Sequence, residues 1–157
     1  MKFNLVRTLS IFVLFIAAAA LTGVNGQTVT GSIAGGTVTR GKAAKATVTL
    51  SLPSELHVNS NRPGTEYQIP TTVRVTAPGI TIGPVTYPRG HNKKFAFSEN
   101  TINIYDGRTT FRFNVTVPRS FRGDRISIRV AVRYQACTDE VCYPPKTKEI
   151  TLTAKVK

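Results

Sequence analysis

The sequence contains few of the residue types that most often bind metals or carry redox chemistry. Among its 157 residues are two cysteines, two histidines, one methionine and no tryptophan. The methionine is Met1, so the rest of the chain lacks the axial ligand that a blue-copper centre usually adds to His and Cys. Acidic residues are also scarce, with 8 Asp and Glu against 21 Lys and Arg and a formal net charge of +13. Any catalytic or binding site must therefore use a small number of identifiable side chains.

Long apolar runs are absent from the sequence, although the chain begins with a short one. Lys2 and Arg7 precede an uncharged, mostly apolar stretch at residues 9–21, and small residues follow up to Gly26. This arrangement is typical of a secretory signal peptide, whereas a membrane-spanning helix needs about 20 apolar residues. We predict a signal peptide at residues 1–26 and a single domain at residues 27–157 with no stable membrane anchor. We expect export to the periplasm, or to the extracellular space, where disulfides can form.

Helical periodicity is absent after residue 26, and strand periodicity takes its place. The clearest case is residues 125–134, where apolar and polar residues alternate, as they do in a half-buried strand. Further candidate strands, separated by turn residues, are 28–33, 46–52, 72–76, 84–87, 94–97, 101–105, 111–117 and 150–156. Many short strands in a chain of this length predict an all-β, antiparallel β-sandwich. Asp106 and Gly107 are the best candidates for a hairpin turn.

Much of the positive charge falls on the polar side of these strands. Arg125, Arg129 and Arg133 alternate with apolar residues in one strand, so exposure to solvent accounts for them. The basic residues lack the interleaved aromatic side chains of a surface for single-stranded nucleic acid. Together with the export signal, this pattern argues against a nucleic-acid partner. A basic surface for an acidic protein partner is the alternative use of the charge.

The two histidines do not show the spacing of a metal site. His57 and His91 both lie in loop-like sequence contexts and are far apart in the chain. Structural zinc modules use short ligand spacings, which a set of His57, His91 and the two cysteines does not have. The motifs of common hydrolases and of phosphate-binding loops are missing as well. We therefore expect neither a metal site nor a cofactor.

The two cysteines are the remaining candidates for chemistry. Cys137 and Cys142 are separated by four residues, and Tyr143-Pro144-Pro145 follows. Two cysteines alone in an exported domain tend to pair. In the chain-entropy model, a bridge that closes about six residues adds roughly 2 kcal/mol, against nearly 5 kcal/mol for 100 residues. Such a bridge is a weak brace, but it presents two sulfurs for thiol–disulfide exchange. The spacing by itself leaves a structural role and a redox role open.

The sequence around the cysteines carries a specific resemblance. Residues 133–148 read RYQACTDEVCYPPKTK, with a Tyr-Gln-small-Cys stretch followed by Cys-Tyr-Pro-Pro. This segment resembles the active-site segment of the N-terminal domain family of the disulfide-bond reductase DsbD. The resemblance covers most of residues 43–156. Weaker supporting similarities lie at residues 56–63, 69–71, 87–90 and 104–107.

The resemblance implies an immunoglobulin-like fold and a function in thiol:disulfide exchange. In the family, electrons pass from a membrane-embedded thiol reductase to oxidised thioredoxin-fold proteins outside the cytoplasm. By position, Cys137 and Cys142 are the redox pair, and Cys142 is the better candidate for the mixed disulfide with a partner. The alternative function is a non-enzymatic binding sandwich with a structural disulfide and a basic partner-binding surface.

The resemblance also places aromatic side chains near the cysteines. Residues 91–97 match a family cap loop that carries a shielding aromatic, which makes Phe95 the first candidate for that role and Phe97 the second. Tyr134 and Tyr143 flank the cysteine pair. Core packing is the alternative role for all four residues.

Two features depart from the well-known form of the family. That form has acidic residues before the cap aromatic, whereas this chain has Lys93 and Lys94. The reductase also continues into a transmembrane domain and a thioredoxin-like domain, whereas the sequence here stops at Lys157. We therefore expect the electron donor to be another polypeptide.

Overall fold

A computed structural model of the chain describes residues 26–64 and 66–157. Apart from Gly26, the predicted signal peptide at residues 1–26 lies outside the described residues. The described part contains a short 3₁₀ turn at Ala34–Gly36 and twelve β-strands. None of its helices is long and apolar enough to cross a membrane.

The strands vary from two to eleven residues in length. In chain order they are β1 (Thr28–Ile33), β2 (Thr37–Val38), β3 (Ala43–Ser51), β4 (His57–Asn59), β5 (Thr72–Thr76), β6 (Thr81–Ile82), β7 (His91–Lys93), β8 (Ile102–Asp106), β9 (Arg108–Thr116), β10 (Arg125–Tyr134), β11 (Ala136–Cys137) and β12 (Lys146–Val156).

These strands form three four-stranded sheets. Sheet A has the order β1-β3-β9-β6, sheet B has the order β2-β12-β10-β5, and sheet C has the order β11-β4-β8-β7. The strand pairs are antiparallel except for β2 with β12, which is parallel. The all-β, antiparallel, immunoglobulin-like sandwich predicted from the sequence is therefore confirmed.

Alternation along the strands builds the core. In β10 every second residue from Ile126 to Tyr134 is buried, while Arg125, Arg129 and Arg133 are exposed. Apolar residues of sheets A and B, such as Val48, Phe111, Val130 and Leu152, belong to one buried cluster. Burial of this apolar area, at about 25 cal/mol per Å², is the main force that holds the sheets together.

Sheet C continues from the other two sheets and holds the candidate site. Its strand β8 leads into β9 of sheet A through Gly107, and its strand β11 follows β10 of sheet B after Gln135. One face of sheet C joins the main core through Val58, Tyr105 and Ala136. The opposite face carries a separate small cluster. Its members are Phe95, Ile102 and Ile104.

The predicted hairpin at Asp106 and Gly107 is wrong. Strand β8 pairs with β4 and β7, whereas β9 pairs with β3 and β6, so the two strands lie in different sheets. Gly107 has a φ of +53°, a conformation that glycine adopts without steric cost, and its carbonyl accepts a hydrogen bond from Leu52 N at 2.8 Å. The glycine bends the chain from one sheet into another instead of folding it back on itself.

Two predicted strands are also wrong. Residues 84–87 contain only an isolated bridge between Thr86 and Arg112. The strand expected at residues 94–97 lies earlier, at His91–Lys93, and the chain leaves the sheet after Lys93. His57 and His91 are in strands β4 and β7 and not in loops. These strands are too short for alternation to reveal them, since three residues contain little more than one period.

Candidate functional site

The two cysteines face each other across a tight hairpin, residues 136–143, which we call the cysteine hairpin. Thr138 N donates to Val141 O at 2.8 Å, and Tyr143 N donates to Ala136 O at 2.9 Å. These bonds make Cys137 and Cys142 a non-hydrogen-bonded pair of an antiparallel ladder, the position where opposed residues come closest. Their Cα atoms are 4.0 Å apart, and the two sulfurs form a disulfide.

Hydrogen bonds of side chains hold the hairpin together in addition to the disulfide. Thr138 Oγ1 accepts hydrogen bonds from the backbone of Glu140 at 3.2 Å and of Val141 at 3.1 Å. A threonine hydroxyl at the first position of a turn stabilises the turn in this way. On the other side, Gln135 Nε2 donates to Tyr143 O at 3.1 Å. The hairpin therefore has several hydrogen bonds besides the disulfide that hold its two arms together.

The two halves of the disulfide differ in exposure. Cys137 belongs to β11, pairs with β4 and is 1% exposed, whereas Cys142 lies on the outer arm of the hairpin and is exposed. Val141, next to Cys142, is 51% exposed. An incoming thiolate must reach one of the two sulfurs, and Cys142 is the exposed residue of the pair.

His57 lies opposite Cys137 in the strand register, a position that no sequence pattern indicated. The strand register pairs His57 with Cys137 on one side and with Asp106 on the other. Opposed residues of an antiparallel pair project from the same face of a sheet, so the imidazole and the sulfur of Cys137 share one face of sheet C. His57 is 5% exposed. A pairing of residues 80 positions apart has no local sequence signal, and so sequence reasoning missed it.

The chain segment after β7, residues 94–97, folds over this face, and we call it the cap loop. Phe95 is 3% exposed and stacks on the His57 ring, with 4.6 Å between ring centroids and an interplanar angle of 23°. Phe97 stacks on Phe95 at 5.2 Å and is 52% exposed. Phe95 therefore covers the imidazole that neighbours Cys137, while Phe97 is the outer of the two rings.

An ion pair joins the base of the cap loop to the cysteine hairpin. Lys93 Nζ lies 2.8 Å from Asp139 Oδ1, and the same ammonium lies 5.1 Å from the centroid of the Phe95 ring. Asp139 Oδ1 is also 4.0 Å from His57 Nδ1. Lys94, by contrast, donates to the backbone oxygen of Glu99. Lys93, the first of the two lysines before Phe95, thus has an acidic partner between the cysteines.

The environment of His57 changes its protonation. Burial, and next the positive charge of Lys93, lower the pKa of His57 below its ordinary 6.5, and the nearby carboxylates of Asp139 and Asp106 only partly oppose this. The hydrogen bond from Lys93 lowers the pKa of Asp139. At neutral pH the site therefore contains a neutral imidazole and an ionised carboxylate.

The two flanking tyrosines pack in or against the main core cluster. Tyr134 is fully buried at the end of β10, and burial raises the pKa of its hydroxyl. Its hydroxyl oxygen has no hydrogen-bond partner among the described residues. Tyr143 is half-buried, and the two rings line a cavity of about 10 Å³. The core-packing alternative suits Tyr134, whose side chain belongs to the main cluster.

In the described residues, no group of three or more His, Cys, Asp or Glu side chains has the arrangement of a metal site. His57 and His91 reach different carboxylates, Asp139 and Asp106 respectively. The two cysteines are bonded to each other. The chemistry that this arrangement offers is that of a half-exposed disulfide with a buried imidazole beside its inner sulfur.

A family model described as "Thiol:disulfide interchange protein DsbD, N-terminal" matches residues 32–154 of the chain. The thiol:disulfide interchange protein DsbD of Actinobacillus pleuropneumoniae serotype 5b (strain L20) is 29% identical over 80 residues, which are 51% of this chain and 12% of that protein. The chain thus matches about an eighth of the length of this relative.

Two solved structures are similar at lower identity. The DsbD N-terminal domain of Neisseria meningitidis, in its reduced form, has a TM-score of 0.46 and 16% identity, over 70% of this chain and 80% of the other. The N-terminal periplasmic domain of ScsB from Proteus mirabilis has a TM-score of 0.49 and 13% identity, over 80% of this chain and 44% of the other.

Proposed function

Because this chain belongs to the family of DsbD N-terminal domains, we propose that it is an exported thiol:disulfide exchange module. In this proposal it passes electrons between a membrane-embedded thiol reductase and oxidised thioredoxin-fold proteins through Cys137 and Cys142. The observation that carries the proposal is a disulfide between one buried and one exposed cysteine, held in a tight hairpin that also has its own backbone and side-chain hydrogen bonds.

The reaction has two steps in each direction. In the oxidised protein, the donor's thiolate attacks the exposed Sγ of Cys142, the S–S bond breaks, and its electron pair leaves with Cys137. A second donor thiol then resolves the mixed disulfide and leaves the pair reduced. Toward the acceptor, Cys142 attacks the partner's disulfide and Cys137 displaces the partner as a dithiol. Each complete transfer moves two electrons.

The cap loop and the aromatic residues have supporting roles in this proposal. Phe95 shields the buried side of the pair by covering His57, and Phe97 is the ring that an approaching partner meets first. Tyr134, a member of the main core cluster, and Tyr143, which packs against that cluster, anchor the base of the hairpin. Signal-peptide removal after Gly26 and a periplasmic location belong to the same proposal.

The reduction potential of the Cys137–Cys142 pair tests the proposed function. Structural disulfides of secreted proteins tend to lie below about −300 mV, and exchange-active pairs lie above that value. We expect equilibration with glutathione or dithiothreitol buffers to give a reduction potential above this limit. A potential below it identifies the bridge as structural and supports a non-enzymatic binding domain instead.

Trapping with a defined partner is the complementary test. The Cys137→Ala variant should form a stable mixed disulfide, through Cys142, with a thioredoxin-fold protein whose single active-site cysteine has first been converted to its mixed disulfide with thionitrobenzoate, which departs as the leaving thiolate. The double variant Cys137→Ala/Cys142→Ala is the matched control and should form none. Absence of the adduct with Cys137→Ala contradicts the exchange function.

A further inference from the structure

We propose that the imidazole of His57 accepts the thiol proton of Cys137 when Cys137 attacks the mixed disulfide on Cys142. His57 is then a catalytic base of the exchange reaction. This inference rests on the proposed function, because it assigns a role within that reaction.

The strand register and the cap loop place the two groups together. His57 and Cys137 are directly opposed in β4 and β11, and the Cβ atoms of opposed residues are about 4.5–5.5 Å apart. Phe95 stacks on the imidazole from the open side. His57 is 5% exposed and Cys137 is 1% exposed. The ring and the sulfur therefore share a space from which solvent is largely excluded.

A buried thiol needs help to ionise. Burial disfavours the thiolate because the anion loses its hydration, so the reactivity of Cys137 as a nucleophile is low without a base. Within the described residues, His57 is the only His, Asp, Glu, Lys or Arg that is buried. The neighbouring carboxylates of Asp106 and Asp139 are more than half exposed. His57 is thus the base that lies on the buried side of the disulfide.

The charges around His57 suit a base that alternates between a neutral and a protonated imidazole. Lys93 and His91 face it from β7, Asp106 from β8 and Asp139 from the cysteine hairpin. Burial and Lys93 keep the ring neutral at pH 7, so it is free to accept a proton. Once the ring is protonated, Asp139 Oδ1 at 4.0 Å from Nδ1 attracts the imidazolium. In the described residues neither ring nitrogen makes a hydrogen bond that would compete.

The step balances without an outside reagent other than the partner's disulfide. The proton moves from Cys137 Sγ to His57, and the sulfur forms a bond to Cys142 Sγ. The bond between Cys142 and the partner breaks, and its electron pair leaves on the partner's sulfur. The imidazolium returns the proton to solvent or to the departing thiolate. The cysteine pair is oxidised by two electrons and the partner is reduced by two.

The experiment follows the reaction of the reduced protein with 5,5′-dithiobis(2-nitrobenzoate). Each thiol attack releases one thionitrobenzoate anion, which is detected by its absorbance. The first release reports the attack by Cys142, and the second reports the attack by Cys137. We expect His57→Gln to leave the first phase unchanged and to slow the second by about tenfold or more at pH 7, the lower range of general-base catalysis. The difference in the rate of the second phase between His57→Gln and the wild type should disappear as the pH approaches the pKa of the Cys137 thiol. There the thiol ionises without the help of His57.

His91→Gln is the matched control, because it removes the other imidazole from the same sheet at an exposed position. This variant should keep the wild-type rate of the second phase at pH 7, with at most a small shift of the pH profile, because His91 has the smallest influence among the groups that act on the pKa of His57. Two outcomes overturn the proposal. In the first, the second release is as fast in His57→Gln as in the wild type. In the second, it is slower by the same factor at every pH. The second of these outcomes indicates lost packing alone.

A measurement on the unaltered protein covers the case in which His57→Gln does not fold. The second phase should level off above the pKa of His57 determined by NMR titration of the reduced protein. A rate that instead rises tenfold per pH unit throughout pH 5 to 8, the signature of free thiolate formation, overturns the proposal. If the wild type releases only one thionitrobenzoate, Cys137 does not resolve the mixed disulfide, and the proposed exchange function itself fails.

Discussion

At the scale of single residues, the site depends on two sulfurs of one bond that lie in different environments. Cys137 is buried by its pairing with β4, and Cys142 is exposed because it lies on the free arm of the hairpin. Thiol reactivity follows access and thiolate content, so the difference in burial becomes a difference in chemistry. In the proposed function, Cys142 is the sulfur that meets the partner, and Cys137 is the sulfur that resolves the mixed disulfide.

Single-cysteine variants test this assignment. The Cys137→Ala variant keeps only Cys142, and the Cys142→Ala variant keeps only Cys137. We expect Cys142 to react with iodoacetamide at pH 8 about tenfold faster or more than Cys137, because burial limits both the access and the ionisation of Cys137. Mass spectrometry of quenched samples gives the two rates. The same comparison in guanidinium chloride is the control, since unfolding should make the rates converge. Equal rates in the folded variants contradict the assignment.

At the scale of elements, the cysteine hairpin and the cap loop are joined by few contacts. The ion pair of Lys93 with Asp139 links them, and the ring of Phe95 lies below it. Both partners are substantially exposed, so the contact is screened by salt and is a weak link. The cap loop is therefore only lightly held against the cysteine hairpin by this ion pair.

Lys93→Gln should loosen the cap loop. We expect the variant's disulfide to be reduced by dithiothreitol a few-fold faster than that of the wild type at low salt, because the loop opens more often. The difference should shrink at about 1 M salt, where the Debye length is only ~3 Å. Lys94→Gln is the matched control, since the ammonium of Lys94 donates to the backbone oxygen of Glu99, just beyond the cap loop, and not to Asp139 of the hairpin. Identical rates for Lys93→Gln and the wild type show that the ion pair does not restrain the loop.

The disulfide itself should contribute little to stability. It closes a loop of about six residues, for which the chain-entropy model gives roughly 2 kcal/mol. The turn also keeps its backbone hydrogen bonds and its bonds to Thr138. We therefore expect the reduced protein to stay folded, with a free energy of unfolding lower by about that amount in urea titrations. Global unfolding on reduction indicates a structural brace and contradicts the redox role.

At the scale of the whole molecule, one buried histidine makes the stability of the fold depend on pH. The pKa of His57 is lower in the folded state than the ordinary 6.5, so the unfolded chain binds its proton more readily. The stabilisation from the neutral ring is present above pH 6.5 and is lost as the pH falls through the folded pKa. The loss is at most about 1.4 kcal/mol per pH unit for one proton.

Urea unfolding of the oxidised protein at pH 7 and pH 5 measures this effect. We expect the wild type to lose stability over this interval and His57→Gln to lose less, because glutamine does not titrate. The lowered pKa of Asp139 acts in a separate window, below its ordinary 3.8, and does not contribute here. Equal losses in the two proteins show that His57 is not the group responsible.

The fold places the basic residues of the chain in different environments. Arg125, Arg129 and Arg133 lie on the exposed side of β10, as alternation predicted. Lys93, in contrast, belongs to the site through its contacts with Asp139 and Phe95. Charge counts alone do not separate these two uses, because the role of a lysine depends on its neighbours in space.

The sequence by itself determined the fold class, the long strands and the identity of the cysteine pair. Each of these follows from local information: a side-chain period of two sustained over several residues, or two cysteines within one short segment next to Tyr-Pro-Pro. The resemblance around residues 133–148 added the family, and the family model matching residues 32–154 bears it out.

The tertiary structure alone decided how the site is assembled. It placed His57 opposite Cys137, stacked Phe95 on that ring, joined Lys93 to Asp139 and separated β8 from β9 into different sheets. These contacts link residues far apart in the chain, and strands of two or three residues carry no detectable period. Which sulfur is buried, and which base lies beside it, depends on the pairing of distant strands, and that pairing follows from packing of the whole sandwich.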